Sequence, residues 1–214
     1  MLETAGVALA TFFATVGPLD VAVTFAAMTA RESPAARRSI AIRGTLIATV
    51  ILIAFALLGD KLLSAFGISL AALRTAGGIL LLLIGIEMVF ARTSGATTAT
   101  EDETREAEIR NDISVFPLAM PLIAGPGTMG AAILLMANTD GDIARQGVVC
   151  AALLVVLLAT FVSLLAASQL QKLLGTTGAH VISRVFGVLL CALAVQFLFD
   201  GIAQSGLIGG TVTG

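Results

Sequence analysis

The sequence predicts an all-α, polytopic membrane protein. Six transmembrane helices form two inverted three-helix repeats, with helices 1 and 4 broken at Gly-Pro. Three observations lead there. Hydrophobic residues make up 57% of the 214 and charged ones only 12%, with a mean hydropathy of +1.02. Residues 4–19, 44–59, 113–139 and 146–171 contain no Asp, Glu, Lys or Arg, whereas helices of a soluble protein carry charged outer faces. One phrase is written twice, VGPLDVAVTF at 16–25 and AGPGTMGAAI at 124–133, setting Gly17-Pro18 and Gly125-Pro126 108 residues apart.

A helix needs about 20 apolar residues to cross a bilayer. On that length the spans fall near 5–29, 39–59, 69–91, 113–137, 146–171 and 181–204. The opening MLETAGVALATFF lacks a positive stretch before its apolar run, so it reads as the start of a retained helix, not a cleaved signal. Residues 1–91 form the first repeat and 113–214 the second. RTSGATTATEDETREAEIRND at 92–112 is a polar linker between them, Thr-rich and then charged.

The repeat extends beyond Gly-Pro. Arg74-Thr75-Ala76-Gly77 opens the third span and Arg184-Val185-Phe186-Gly187 the sixth, an offset of 110. Short turns are expected before each, at Phe66-Gly67-Ile68 and Leu174-Gly175-Thr176. Three spans per half is odd, so the second half enters from the opposite side, as in many alternating-access carriers. With both termini outward, Arg31, Arg37, Arg38, Arg43, Arg92, Arg105, Arg110, Lys172 and Arg184 lie inside, and Lys61, Arg74 and Arg145 outside. Nine cations against three favour N-out and C-out.

Pro lacks an N–H and clashes with the preceding turn, so it interrupts a helix. In lipid such an interruption survives only where protein or a water-filled cavity satisfies the freed groups. Breaks in corresponding positions of two halves point to a transporter's substrate site. A half-helix start aims unpaired N–H groups and partial positive charge at an anion. Gly125, Pro126, Gly127 and Thr128 are therefore candidates to bind an anionic substrate group. Carbonyls around Val16 and Gly17, beside Pro18, or Asp20, are candidates for a cationic one. Ala124, Gly130 and Ala131 leave room for a short side chain only. The plainer reading is that Gly-Pro kinks two packed helices.

Asp20 stands out because an acid near mid-bilayer is costly and functional by default. It can bind the substrate ammonium, carry a coupling proton, or pair structurally with an Arg. Gln196 can contact substrate or hydrogen-bond between helices. Glu87 and Asp200 read as helix-end residues ahead of gates, and Arg74 and Arg184 as helix anchors or ligands of lipid phosphate. Thr11, Thr15 and Thr24 surround the first break, where hydroxyls can rebond freed carbonyls. Cys150 and Cys191 read as small buried hydrophobes rather than a disulfide or metal pair.

His180 is the only histidine and reads as a helix-start residue. No nucleophile motif, phosphate loop, cofactor motif or metal cluster is apparent, so neither enzyme activity nor nucleic-acid binding is expected. The expected partners are a small neutral solute, a proton or sodium as coupling ion, and membrane lipids. A homo-oligomer is compatible with the small residues on several helices.

FPLAMPLIAGPGTMGAAILL at 116–135 resembles the signature of the MarC family (UPF0056), membrane proteins also described as neutral amino acid transporters. GPLDVAVTFAAMT is similar to that family's first-half Asn-Pro motif. RTAGGILLLLIGIEM at 74–88 and RVFGVLLCALAVQFLFDGI at 184–202 resemble its third and sixth helices. The resemblance covers nearly the whole chain except 92–112. It implies a six-helix inner-membrane protein with inverted repeats that moves small neutral amino acids such as alanine or glycine. Where the family commonly has Asn this chain has Gly17, and Asp20 and Val23 replace a family glycine and proline. The rival expectation is a passive channel or facilitator for small solutes or ions.

Overall fold

The computed structural model describes residues 1–29, 32–90 and 113–206. The 92–112 linker and Arg31 lie outside these residues, as do the side chains of Lys172 and His180. The elements are α1 (Leu2–Val16), α2 (Pro18–Met28), α3 (Pro34–Ala65), α4 (Leu70–Phe90), α5 (Ser114–Ile123), α6 (Pro126–Ala137), α7 (Ile143–Leu165) and α8 (Ala167–Gln204). No strand occurs among the described residues. Five helical stretches are long and apolar enough to cross a membrane, and six if the bent pair α5–α6 is one span.

The protein is apolar inside and out. Phe12, Phe25, Leu52, Leu81, Leu134, Leu153 and Leu190 are fully buried. Leu46, Val50, Leu57, Leu83, Leu158, Val185 and Phe199 are exposed. Water would penalise that periphery, whereas lipid tails solvate it. Three buried hydroxyls turn back on their own helices: Thr15 donates to Thr11 O at 2.9 Å, Thr29 to Phe25 O at 2.7 Å and Thr160 to Val156 O at 2.8 Å.

Packing runs chiefly between the chain's halves. α1 and α2 lie on α7, α5 and α6 on α3, and α4 on α8 along the most extensive interface. That interface is a seam of small residues at seven-residue spacing. A methyl on Gly78 would come within 2.8 Å of Ala194 O, one on Gly85 within 3.0 Å of Gly187 O, and one on Gly201 within 2.9 Å of Ala71 O. Ala71, Gly78 and Gly85 thus oppose Gly201, Ala194 and Gly187 in an antiparallel pair. Small side chains let the backbones approach, which drives helix association in lipid.

One of the two expected turns is displaced. No turn occurs at 174–176; α8 is helical throughout 167–204, and the corner falls at Ala166 (φ −91°, ψ 7°). Glycine inside a helix costs only about 1 kcal/mol, so Gly175 and Gly178 do not stop it. His180 accordingly lies within α8 rather than at its start. The expected turn at 66–68 is present, with Gly67 at φ 66°.

Candidate functional site

The first break combines a helix stop with a helix start. Gly17 adopts the left-handed conformation (φ 59°, ψ 60°), and its N–H donates to Phe13 O at 3.0 Å. That is a C-terminal helix ending which glycine reaches without a Cβ penalty. Pro18 follows as the first residue of α2, where its missing N–H leaves no helix bond unmade. The Gly17 carbonyl accepts from Val21 N at 3.0 Å.

The second break is prepared by α5. Phe116 and Met120 are extended (φ −134° and −137°), as residues before proline prefer, and both X-Pro bonds are cis. The turns are wide: Leu118 N bonds to Ile113 O and Ala124 N to Ala119 O, five residues back. Protein covers this irregular backbone, with Ser114, Leu118, Ala119 and Ile123 buried. Gly44 of α3 admits it, since a methyl there would lie 3.1 Å from Ser114 O. Gly125 is extended (φ −75°, ψ 166°), Pro126 starts α6, and α5 and α6 meet at a 54° bend.

The breaks meet in the buried interior. Thr128, 1% exposed, donates its hydroxyl to Thr15 O at 3.1 Å, tying the start of α6 to the end of α1. No side chain caps the start of α2 or α6. Gly127 is buried, and a methyl there would run into Ile84. Asp20 lies in the first turn of α2, its Oδ2 3.5 Å from where a Cβ on Gly17 would sit. Gly17, Pro18 and Asp20 line a cavity of about 10 Å³ with Phe13, Met88 and Phe186, room for about one water. The Phe13 and Phe186 rings are 4.4 Å apart.

Gln196 is not brought to this cluster. It is exposed on α8 and donates to Asp200 Oδ1 at 2.9 Å, one turn away. Pro126 is also exposed. Arg74 turns inward rather than toward lipid: it is 7% exposed, its Nε donates to Asn138 Oδ1, and Nη2 lies 3.7 Å from Asp140 Oδ1. It thereby fastens the start of α4 to the corner after α6. The sequence reading passed over Asn138 and Asp140, although their place at the end of a charge-free run marked a helix corner. Among the described residues no three His, Cys, Asp or Glu side chains form a metal cluster.

These features define a polytopic helical membrane protein whose interior sets the start of α6 against the end of α1. The profile of the MarC family integral membrane proteins matches residues 2–205. The chain is 36% identical over 195 residues to UPF0056 membrane protein MJ1677 of Methanocaldococcus jannaschii, covering 91% of this chain and 94% of that one. It is 34% identical over 190 residues to UPF0056 membrane protein YhcE of Escherichia coli (89% and 87% covered). It is 32% identical over 190 residues to UPF0056 membrane protein YvbG of Bacillus subtilis (89% and 90%). No solved structure matches the chain. The protein belongs to the MarC family of integral membrane proteins.

Proposed function

We propose that the protein is a secondary transporter of small neutral solutes, amino acids such as alanine or glycine, working by alternating access of two inverted halves. The observation that carries this reading is the bond from Thr128 to Thr15 O, which joins an uncapped half-helix start to the first break. The start of α6 has no acidic residue in its first turn and suits a carboxylate; the start of α2 carries Asp20 and suits an ammonium group. The matched packing of each half's first span on the other half's second, and of third on third, supports the inverted arrangement. The neutral amino acid transporter subtype, the inner membrane and the outward termini belong to the same proposal.

A cavity of about 10 Å³ at the first break is too small for an amino acid, so this conformation is closed there. Transport then requires the Phe13–Phe186 contact and the Thr128–Thr15 bond to open. A passive channel, which would open at the same place, is the alternative reading. Asp20 is the coupling candidate, for proton or sodium.

The test is counterflow of labelled alanine and glycine in proteoliposomes. Wild type should accumulate label against unlabelled substrate. Gly125→Leu should abolish accumulation, with Thr128→Val as the milder variant should the first not fold. Folded wild type that equilibrates label without counterflow would favour the channel.

A further inference from the structure

A pocket of about 390 Å³ lies among the end of α2, the start of α3 and the α7–α8 corner. α7 runs from the Arg74 corner at Ile143 to this pocket at Leu165, so the two features occupy opposite ends of the bundle. The volume falls within the range of small-ligand sites. We propose that this pocket binds a phosphate group, that of an anionic phospholipid whose acyl chains lie along α7.

Its cationic wall is built. Arg37 Nε donates to Thr29 O at 2.8 Å and Nη1 to Ser168 Oγ at 2.7 Å. Those bonds fix the guanidinium between α2 and α8 and use two of its five N–H donors. Arg38 also lines the pocket, is exposed, and makes no hydrogen bond or ion pair among the described residues. Among the described residues no acidic side chain lines the pocket. One fixed guanidinium and one without a partner among the described residues, both with donors to spare, match phosphate oxygens.

The helix ends reinforce this wall. α3 and α8 both begin at the pocket, through Pro34 and Ala167, and each start adds partial positive charge. Ser33 Oγ already accepts Ala36 N in α3, whereas no side chain caps α8. At the α8 start Gln169 N already bonds to Ala166 O at 3.0 Å, so what that end offers an anion is chiefly its partial positive charge.

The lipid source follows from what continues out of the pocket. Leu165 on its wall is 48% exposed, and Val162, Leu158 and Leu154 behind it on α7 are 56%, 63% and 47% exposed. At spacings of three and four residues they form one apolar stripe leading from the pocket. A free phosphate would leave most of the volume and all of the stripe unused. Basic pockets between membrane helices are a recurring solution for anionic headgroups. The proposal stands apart from the transport reading.

The test titrates the purified full chain in detergent micelles with phosphatidylglycerol, phosphatidylcholine or inorganic phosphate. Bound lipid is read by native mass spectrometry and stabilisation by the melting temperature. Phosphatidylglycerol should bind in preference to phosphatidylcholine, and Arg38→Gln should weaken it about tenfold. Arg38 is chosen because Arg37 also holds Thr29 and Ser168, so its loss can unfold the corner. Arg145→Gln, an exposed arginine at the far end of α7, should leave binding unchanged. Equal binding of the two lipids, wild-type affinity in Arg38→Gln, or an equal loss in Arg145→Gln would each overturn the proposal. Stabilisation by inorganic phosphate alone would overturn the lipid assignment.

Discussion

Gly17-Pro18 and Gly125-Pro126 are the same dipeptide in corresponding places, yet the chain uses them differently. At the first, one left-handed residue separates two helices, and Leu2–Met28 still reads as one span. At the second, Gly125 is extended and the helices meet at 54°. The cause lies upstream. α1 is a regular helix up to Val16, whereas Pro117 and Pro121 have already widened the turns of α5. The charge differs too: α2 carries Asp20 in its first turn and α6 has no acid there. A Gly-Pro pair sets where a helix can stop and restart; its neighbours set the angle and the chemistry between.

The largest expected effect tests the difference in charge. If the first break receives the ammonium group and the second the carboxylate, Asp20→Asn should raise the KM for alanine about 10- to 100-fold, the worth of a charge-assisted hydrogen bond. A coupling role also predicts that the variant loses the pH or sodium dependence of uptake. Unchanged KM and unchanged ion dependence together would make Asp20 structural and remove the asymmetry. The next effect concerns the contact between the breaks. Thr128→Val keeps the shape and removes the donor to Thr15 O, so it should destabilise the folded protein by about 1 kcal/mol, read as a lower melting temperature. A melting temperature equal to wild type would mean that this bond does not hold the breaks together.

The spans were legible because bilayer thickness demands long uncharged runs, and nothing else in the chain looks like them. The seam between α4 and α8 was legible in principle: Ala71, Gly78 and Gly85 repeat every seven residues, as do Gly187, Ala194 and Gly201. Small residues recur throughout the chain, with 22 glycines in 214 residues, so that spacing does not stand out without the partner helix. Other features were hidden for physical reasons. A sequence assigns a residue to a helix but not to a side of the bundle, so Gln196 could not be seen to face outward with Asp200. Arg74 likewise could not be seen to face inward, since its partners Asn138 and Asp140 lie on another helix corner. The wide turns of α5 depend on the space that Gly44 leaves on α3, a tertiary fact. The basic pocket needed four chain segments in place before Arg37 and Arg38 could be read together.

The finest distinction, Ala against Asn at Gly17, separates the two breaks by backbone conformation alone. Gly17 sits at φ 59°, where an ordinary L-residue is disfavoured by about 1–2 kcal/mol, while Gly125 at φ −75° has a conformation open to any residue. A Cβ on Gly17 would meet only Asp20, at 3.5 and 3.8 Å, which is ordinary contact. The cost of Gly17→Ala is therefore conformational, about 1–2 kcal/mol of stability. Gly17→Asn should cost less than Ala, because asparagine visits the left-handed region most readily after glycine. Melting curves of the two variants decide it: Ala below Asn supports the left-handed stop, and Ala equal to wild type removes it.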